Sequence, residues 1–270
     1  MTVFTYQRAE CPMLVSIPHA GVRLCNDMSK RLTPAARHLP DTDWHVDRLY
    51  DFLNNTSVGV LRADYSRYVV DLNRAPDNVA LYPGQLNSEI CPMKTFSGED
   101  IYRRGFEPGD AEVDDRIRRI WSPYHACLRE ELERLRMKFG FAILWDAHSI
   151  RSRVPLLFDG ELPHLNVGTN DGTSCDPELA ADISELLGSG DYSIVVNGRF
   201  RGGYITRHYG DPAAHVHAIQ LELSQRAYMD EANSKYSTTK SDQLRGLLRQ
   251  AFDVLGRMNH EDATRSKGLT

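Results

Sequence analysis

The stretch that most constrains the fold is FAILWDAHSI, residues 141–150. An apolar run of this length, closed by polar residues, reads as a buried strand. It leads straight into Asp146, His148 and Ser149. Burying a carboxylate and an imidazole costs free energy unless something pairs with them. The chain therefore has to supply partners from elsewhere.

The same pattern recurs. MLVSI ends at PHAG, RYVVDL ends at NRAPDN, and YSIVVNG and HAIQLELS are further apolar strands. Helical patterns lie between them. DWHVDRLYDFLNN is broadly helical, with Asp41 or Thr42 available as its cap. Residues 114–139 carry Ile117, Ile120, Trp121, Tyr124, Leu128, Leu132 and Leu135 at spacings of three or four. DPELAADISELLGSG has Pro177 in its first turn and Gly188 at its end, and SDQLRGLLRQAFDVLGRM is amphipathic. Strands alternating with helices predict an α/β fold, a largely parallel sheet flanked by helices. In such sheets ligands bind beyond the carboxyl ends of the strands. The polar residues following each apolar strand are expected to converge.

Length and composition fit one domain over 1–270, with a polar, frayed tail from about residue 260. The formal charge of -5 gives no basic footprint for nucleic acid. No apolar run approaches the roughly 18 residues that span a membrane, and no signal peptide is visible. The 5 cysteines are scattered and lack C-x-x-C spacing, which argues against a disulfide framework or a cysteine zinc cluster. A soluble, cytoplasmic protein is expected; oligomeric state is not legible.

The strand ends present His19 in SIPHAG, Asn73 and Arg74 in VVDLNRAP, Asp146 and His148 in LWDAHS, and Glu222 in IQLELS. Asp47 sits on the helix between the first two strands. Histidines and carboxylates from separate strand ends suit a catalytic zinc site, which uses three protein ligands and keeps one position open. Zinc brings the pKa of a bound water near neutrality, and a neighbouring carboxylate can move its proton. Each element also has a plainer reading. Asp47 can pair with Arg48 or Arg74, Glu222 with a buried arginine, and Asp146 can cap a helix. No H-E-x-x-H motif is present. His38, His125, His164 and His260 read as surface or structural residues, His45 faces away from Asp47, and His215 and His217 flank a strand start. NGRFRGGYITRHYG holds Arg199, Arg201 and Arg207 among glycines. It suits a small anionic ligand, and equally an ordinary turn with solvated arginines.

Taken together and in order, SIPHAG, DTDWHVDRLYDF, YSRYVVDLNRAP, LWDAHSIRS, DPELA, NGRFRGGYITRHYG and QLELSQRAYMDE resemble the N-formylglutamate amidohydrolase family, from about residue 13 to 231. DWHVDRLY and GGYITRHYG are the most distinctive pieces. The resemblance implies a zinc carboxypeptidase-like, three-layer α/β hydrolase that splits N-formyl-L-glutamate into formate and L-glutamate, ending one route of histidine degradation. It maps His19 and His148 onto metal ligands, Asn73 and Arg74 onto a carboxylate clamp, and Glu222 onto the general base. Zinc is the implied metal, another divalent ion being compatible. The carboxypeptidases place a Glu three residues after the first His; here that position is Val22. Asp47 is the first choice for the third ligand and Asp43 the second. Arg67 is a candidate for the oxyanion, and Arg207 and Arg201 for the second substrate carboxylate. Asp146 and Ser149 are expected behind the ligands. A deacylase of another N-acyl amino acid, and a non-catalytic carboxylate-binding protein, are the competing readings.

Overall fold

The computed structural model describes residues 2–79 and 88–257; His260 and the expected frayed tail lie outside them. In chain order the elements are β1 (Phe4–Gln7), β2 (Met13–Ile17), α1 (Met28–Arg31), α2 (Val46–Leu49), β3 (Gly59–Ala63), α3 (Asp110–Arg116), a π-helical turn (Ile117–Trp121), α4 (Ser122–Phe139), β4 (Ala142–Ile150), β5 (Leu165–Gly168), α5 (Pro177–Gly188), β6 (Ile194–Val196), α6 (Tyr204–Tyr209), β7 (Val216–Ser224) and α7 (Thr238–Arg257), with a short β8–β9 ribbon (Met229–Asp230, Lys235–Tyr236) before α7.

The seven-stranded sheet runs β1-β3-β2-β4-β7-β5-β6. Strands β3, β2, β4 and β7 are parallel to one another. β1 is antiparallel to β3, and β5 is antiparallel to β7 while β6 runs parallel to β5. The sheet is thus mixed and mostly parallel, with helices on both faces.

Side chains alternate between faces along a strand, and here both faces are buried. On β4, Ile143, Trp145 and Ala147 join Met13, Val15 and Ile17 of β2, Ile219 and Leu221 of β7, and the inner stripes of α5 and α7. Ala142 and Leu144 face the other way, with Leu14, Ala218 and the α4 stripe Tyr124, Leu128, Leu132 and Leu135. Each fully buried aliphatic side chain contributes roughly 1.5–3 kcal/mol of hydrophobic stabilisation, so the sheet register is strongly held. The second face also carries the chemistry. Continuing the alternation, Asp146 and His148 follow Leu144, and Gln220 and Glu222 follow Ala218.

Helix ends obey their local signals. The Asp176 side chain accepts from the amides of Glu178 (2.8 Å) and Leu179 (3.3 Å) ahead of α5. α4 stops at Gly140, whose φ is 85°.

Three expectations need correction. RYVVDL is not a strand: Tyr68, Val69, Val70 and Leu72 are buried in irregular backbone. The helix expected over DWHVDRLYDFLNN is broken. His45 has a φ of 63°, leaving α2 and a short 3-10 turn at Asp51–Leu53. Asp41 caps no helix there, because its Oδ2 accepts from the Tyr68 hydroxyl (2.7 Å) and the Phe96 amide (2.9 Å). Finally, β4 does not end at Trp145; it runs through DAHSI to Ile150.

Candidate active site

His19 stands two residues past β2 in the PHAG turn, and His148 is the seventh residue of β4. Asp43 reaches both histidines from the bent segment before α2. Its Oδ2 lies 3.1 Å from His148 Nδ1 and 3.8 Å from His19 Nδ1, and also accepts from the Ser149 amide at 3.0 Å. One ligand-type atom from each of His19, Asp43 and His148 falls within 4.8 Å of the others, and all three residues are buried. Asp47 is not brought there. It is one-third exposed and pairs with Arg62 at 2.9 Å on the sheet's flank. The bend at His45 is the reason: with α2 starting only at Val46, Asp43 rather than Asp47 faces the sheet's carboxyl edge.

A second ring of groups holds the first. Asp71 Oδ1 meets His19 Nε2 at 2.8 Å, and Arg67 donates to the other Asp71 oxygen at 2.7 Å. The Asn73 amide nitrogen lies 3.0 Å from His148 Nε2, and Asp146 Oδ1 lies 3.1 Å from the same nitrogen. Asp146 also accepts from Thr206 of α6 at 3.2 Å. Asn73 is fixed in turn, its Oδ1 accepting from the Ile205 amide at 2.7 Å. This close approach requires Gly203, where a Cβ would fall 2.1 Å from the Asn73 amide nitrogen.

Glu222 is the register partner of His148 on the neighbouring strand. Gln220 donates to its Oε2 at 3.2 Å while accepting from the Gly203 amide at 2.6 Å. Burial pushes the Glu222 carboxyl up to about 8. Burial also works against ionising Asp71, yet Arg67 and His19 hold it well below the usual carboxylate range. His148 is driven well above the usual imidazole value because Asp146 and Asp43 outweigh its burial. His19 is pushed down by burial and by Arg67.

The site is rich in acid. Asp43, Asp71, Asp146 and Glu222 are buried beside Arg67, His19 and His148. Among the described residues, two buried atoms here lack a partner within hydrogen-bond distance: His19 Nδ1 and Asp43 Oδ1. Buried polar atoms are normally satisfied. Unpaired lone pairs in a group with surplus negative charge fit a cation. The donor set, two imidazoles and a carboxylate with the far nitrogens of the imidazoles facing Asp71 and Asp146, matches how zinc-type centres are built.

A cavity of about 210 Å³ opens onto this group. His19, Arg67, Asn73, His148, Gln220 and Glu222 line its floor, and Arg74, Phe96, Arg199 and Phe200 its walls. Arg67 lies over the Phe96 ring, 4.7 Å from its centroid. Of the loop arginines, Arg199 lines the cavity. Arg201 is half exposed and pairs with Asp171 at 3.2 Å, and Arg207 donates to the Gly202 carbonyl at 2.8 Å; neither is among the lining residues. Sequence reasoning passed over Asp71 and Gln220, and named Arg199 only as part of the basic loop, choosing Arg207 and Arg201 for the substrate. Asp71 had a signal, an acid inside the apolar run RYVVDL; Gln220 lies two residues before Glu222 on the same strand face.

Among the described residues, His125, His164 and His217 are all engaged in hydrogen bonds within the fold.

A mostly parallel α/β sheet with a buried histidine–carboxylate centre and a basic cavity at its carboxyl edge defines a hydrolase-type scaffold. The chain belongs to the N-formylglutamate amidohydrolase family, whose model matches residues 11–229. It is 50% identical over 230 residues to the N-formylglutamate deformylase of Pseudomonas putida, covering 85% of this chain and 86% of that one. It is 48% identical over 255 residues to that of Pseudomonas aeruginosa, covering 94% and 96%. Among solved structures, the N-formylglutamate amidohydrolase of Ralstonia eutropha JMP134 superimposes with a TM-score of 0.80 at 25% identity, covering 94% of this chain and 99% of that one. A gene product of Agrobacterium tumefaciens shares the fold, with a TM-score of 0.66 at 16% identity and 94% and 96% coverage.

Proposed function

We propose that this chain hydrolyses the formyl amide of N-formyl-L-glutamate to formate and L-glutamate, as a single catalytic domain in the cytoplasm and as the closing step of a histidine degradation route. The observation that carries the reading is the buried His19–Asp43–His148 group beside Glu222 on the floor of a cavity whose walls are cationic. The cavity is smaller than the roughly 300–1,000 Å³ usual for drug-sized ligands, which suits a small dicarboxylate.

His19, Asp43 and His148 would hold one divalent cation, zinc by preference. When bound, that cation supplies Lewis-acid polarisation of the formyl carbonyl and acidifies the attacking water. Glu222 accepts a proton from the water as its oxygen attacks the formyl carbon, then delivers it to the glutamate nitrogen as the C–N bond breaks. Burial raises the carboxyl and so makes Glu222 the stronger proton acceptor, and a cation held beside it would favour its ionised form at the start. Gln220 fixes the Glu222 oxygen on which the proton travels. Arg67, kept charged by Asp71 and Asp43, faces the negative charge that develops on the formyl oxygen. Arg74 and Arg199 meet the two substrate carboxylates, with Asn73 orienting His148 beside the first.

The test is a Glu222→Gln variant assayed for formate release and metal content. The reading expects metal to be retained and turnover to fall at least about 100-fold. Turnover near wild type would remove Glu222 from the mechanism. Release of acetate from N-acetylglutamate as fast as formate from the formyl substrate would favour the broader deacylase reading.

A further inference from the structure

The segment that reads as a strand but is not one, residues 67–72, carries Arg67 and Asp71, and Asn73 and Arg74 follow it directly. With no ladder, the buried carbonyls here need other donors. The Tyr68 carbonyl accepts from the Tyr102 hydroxyl at 3.2 Å and that of Asn73 from the Tyr204 amide at 3.4 Å, while three others find donors on one continuous helical run. Arg116 Nη1 donates to the Val69 carbonyl at 2.9 Å, His125 Nε2 to the Leu72 carbonyl at 2.9 Å, and Trp121 Nε1 to the Arg74 carbonyl at 3.0 Å.

The spacing of these donors explains the π-helical turn. In an α-helix, five residues rotate a side chain about 140° out of line, so Arg116 and Trp121 would point to different neighbours. One turn with i→i+5 hydrogen bonding stacks a residue nearly over the one five positions earlier. The turn at Ile117–Trp121 spans that interval. Trp121 and His125, four apart in regular helix, are then in line as well, and their rings stack at 3.8 Å between centroids. The Tyr209 hydroxyl, 2.9 Å from His125 Nδ1, leaves Nε2 as the nitrogen that donates to Leu72.

We propose that Arg116, Trp121 and His125 are positioning residues: through the π-helical turn they hold residues 69–74 so that Asp71 and Asn73 meet the site histidines and Arg74 meets a substrate carboxylate. The kinetic part rests on the substrate reading above; the positional part does not. The division of labour follows from which carbonyl each side chain holds. Trp121 holds Arg74, so it governs substrate affinity. His125 holds Leu72, between Asp71 and Asn73, so it governs the catalytic centre.

Two variants test this, with Arg116 left intact. Trp121→Phe keeps a ring over His125 and removes only the donor. It is expected to raise KM for N-formyl-L-glutamate by up to about 10-fold, the range of one hydrogen bond, with kcat within about twofold. His125→Phe is expected to lower kcat by a similar factor with a smaller change in KM. In both variants, hydrogen–deuterium exchange should quicken in the peptide spanning residues 69–75 and stay at the wild-type rate in α5 and α7. Unchanged exchange in that peptide in both variants overturns the inference, as does an equal fall in kcat with KM unmoved in Trp121→Phe. If the wild-type protein released no formate, the substrate reading would fail, and the exchange comparison alone would decide the inference.

Discussion

Replacing Asp43 and Asp47 one at a time by Asn separates the two ligand assignments, because each change is isosteric and removes one charge. Asp43 is 1% exposed and touches His148 Nδ1, the Ser149 amide and, at 3.8 Å, both His19 and Arg67. Removing one member of a buried charge cluster costs roughly 3–5 kcal/mol. Losing a residue that merely orients a metal ligand already lowers affinity about 10–100-fold, so losing the carboxylate that faces both histidines should cost at least about 100-fold. Asp47 pairs with Arg62 with exposures of 35% and 41%; such pairs are worth about 0–1 kcal/mol. Purified variants would be dialysed against a weak chelator, then compared for metal per chain by mass spectrometry and for thermal midpoint. Asp43→Asn should emerge metal-depleted and inactive, and Asp47→Asn close to wild type in both. Metal retained by Asp43→Asn and lost from Asp47→Asn would refute the reasoning.

Other outcomes follow from the same geometry. Arg199→Met should raise KM roughly 10–100-fold, the range for a lost charge-assisted contact, while Arg201→Met, altering a half-exposed pair, should stay within about twofold. Gly203→Ala should lower kcat with the fold intact, because the added Cβ displaces the Asn73 amide from His148. Burial lowers the His125 pKa from 6.5 to about 3. The ring is neutral in the folded protein, and the unfolded chain binds the extra proton between those values. Its contribution is therefore complete above pH 6.5 and is lost as pH falls below it, at about 1.4 kcal/mol per unit. Denaturant melts should show wild type losing about 1.6 kcal/mol relative to His125→Phe between pH 6.5 and pH 5; a gap independent of pH would mean the folded ring takes up its proton as readily as the unfolded chain does.

Much of this was legible in the sequence for a physical reason. Period-two burial on both sheet faces makes β2, β4 and β7 continuous apolar runs, and whatever polar residue interrupts such a run must be paired. His19, His148 and Glu222, at the ends of such runs, were singled out that way, and the fold brings them to one cavity. What was hidden depends on backbone that leaves the regular menu. The left-handed His45 exchanges Asp47 for Asp43 at the centre, and nothing in DWHVDRLY announces that bend. RYVVDL has the composition of a strand, yet its Val69 and Leu72 carbonyls go to Arg116 and His125, partners more than 40 residues away. Arg199, Arg201 and Arg207 share one loop, and only the packing of α6 and β6 decides which of them faces the cavity. β1, β3 and β5 are four or five residues long, too short for the alternation to stand out.

The central claim is tested most directly by formate release from N-formyl-L-glutamate, measured on the protein as purified, after exhaustive chelation, and after restoring one equivalent of zinc. The account predicts formate and glutamate in equal amounts, loss of activity with the metal, and recovery on its return. Full activity in protein verified to be metal-free would contradict it.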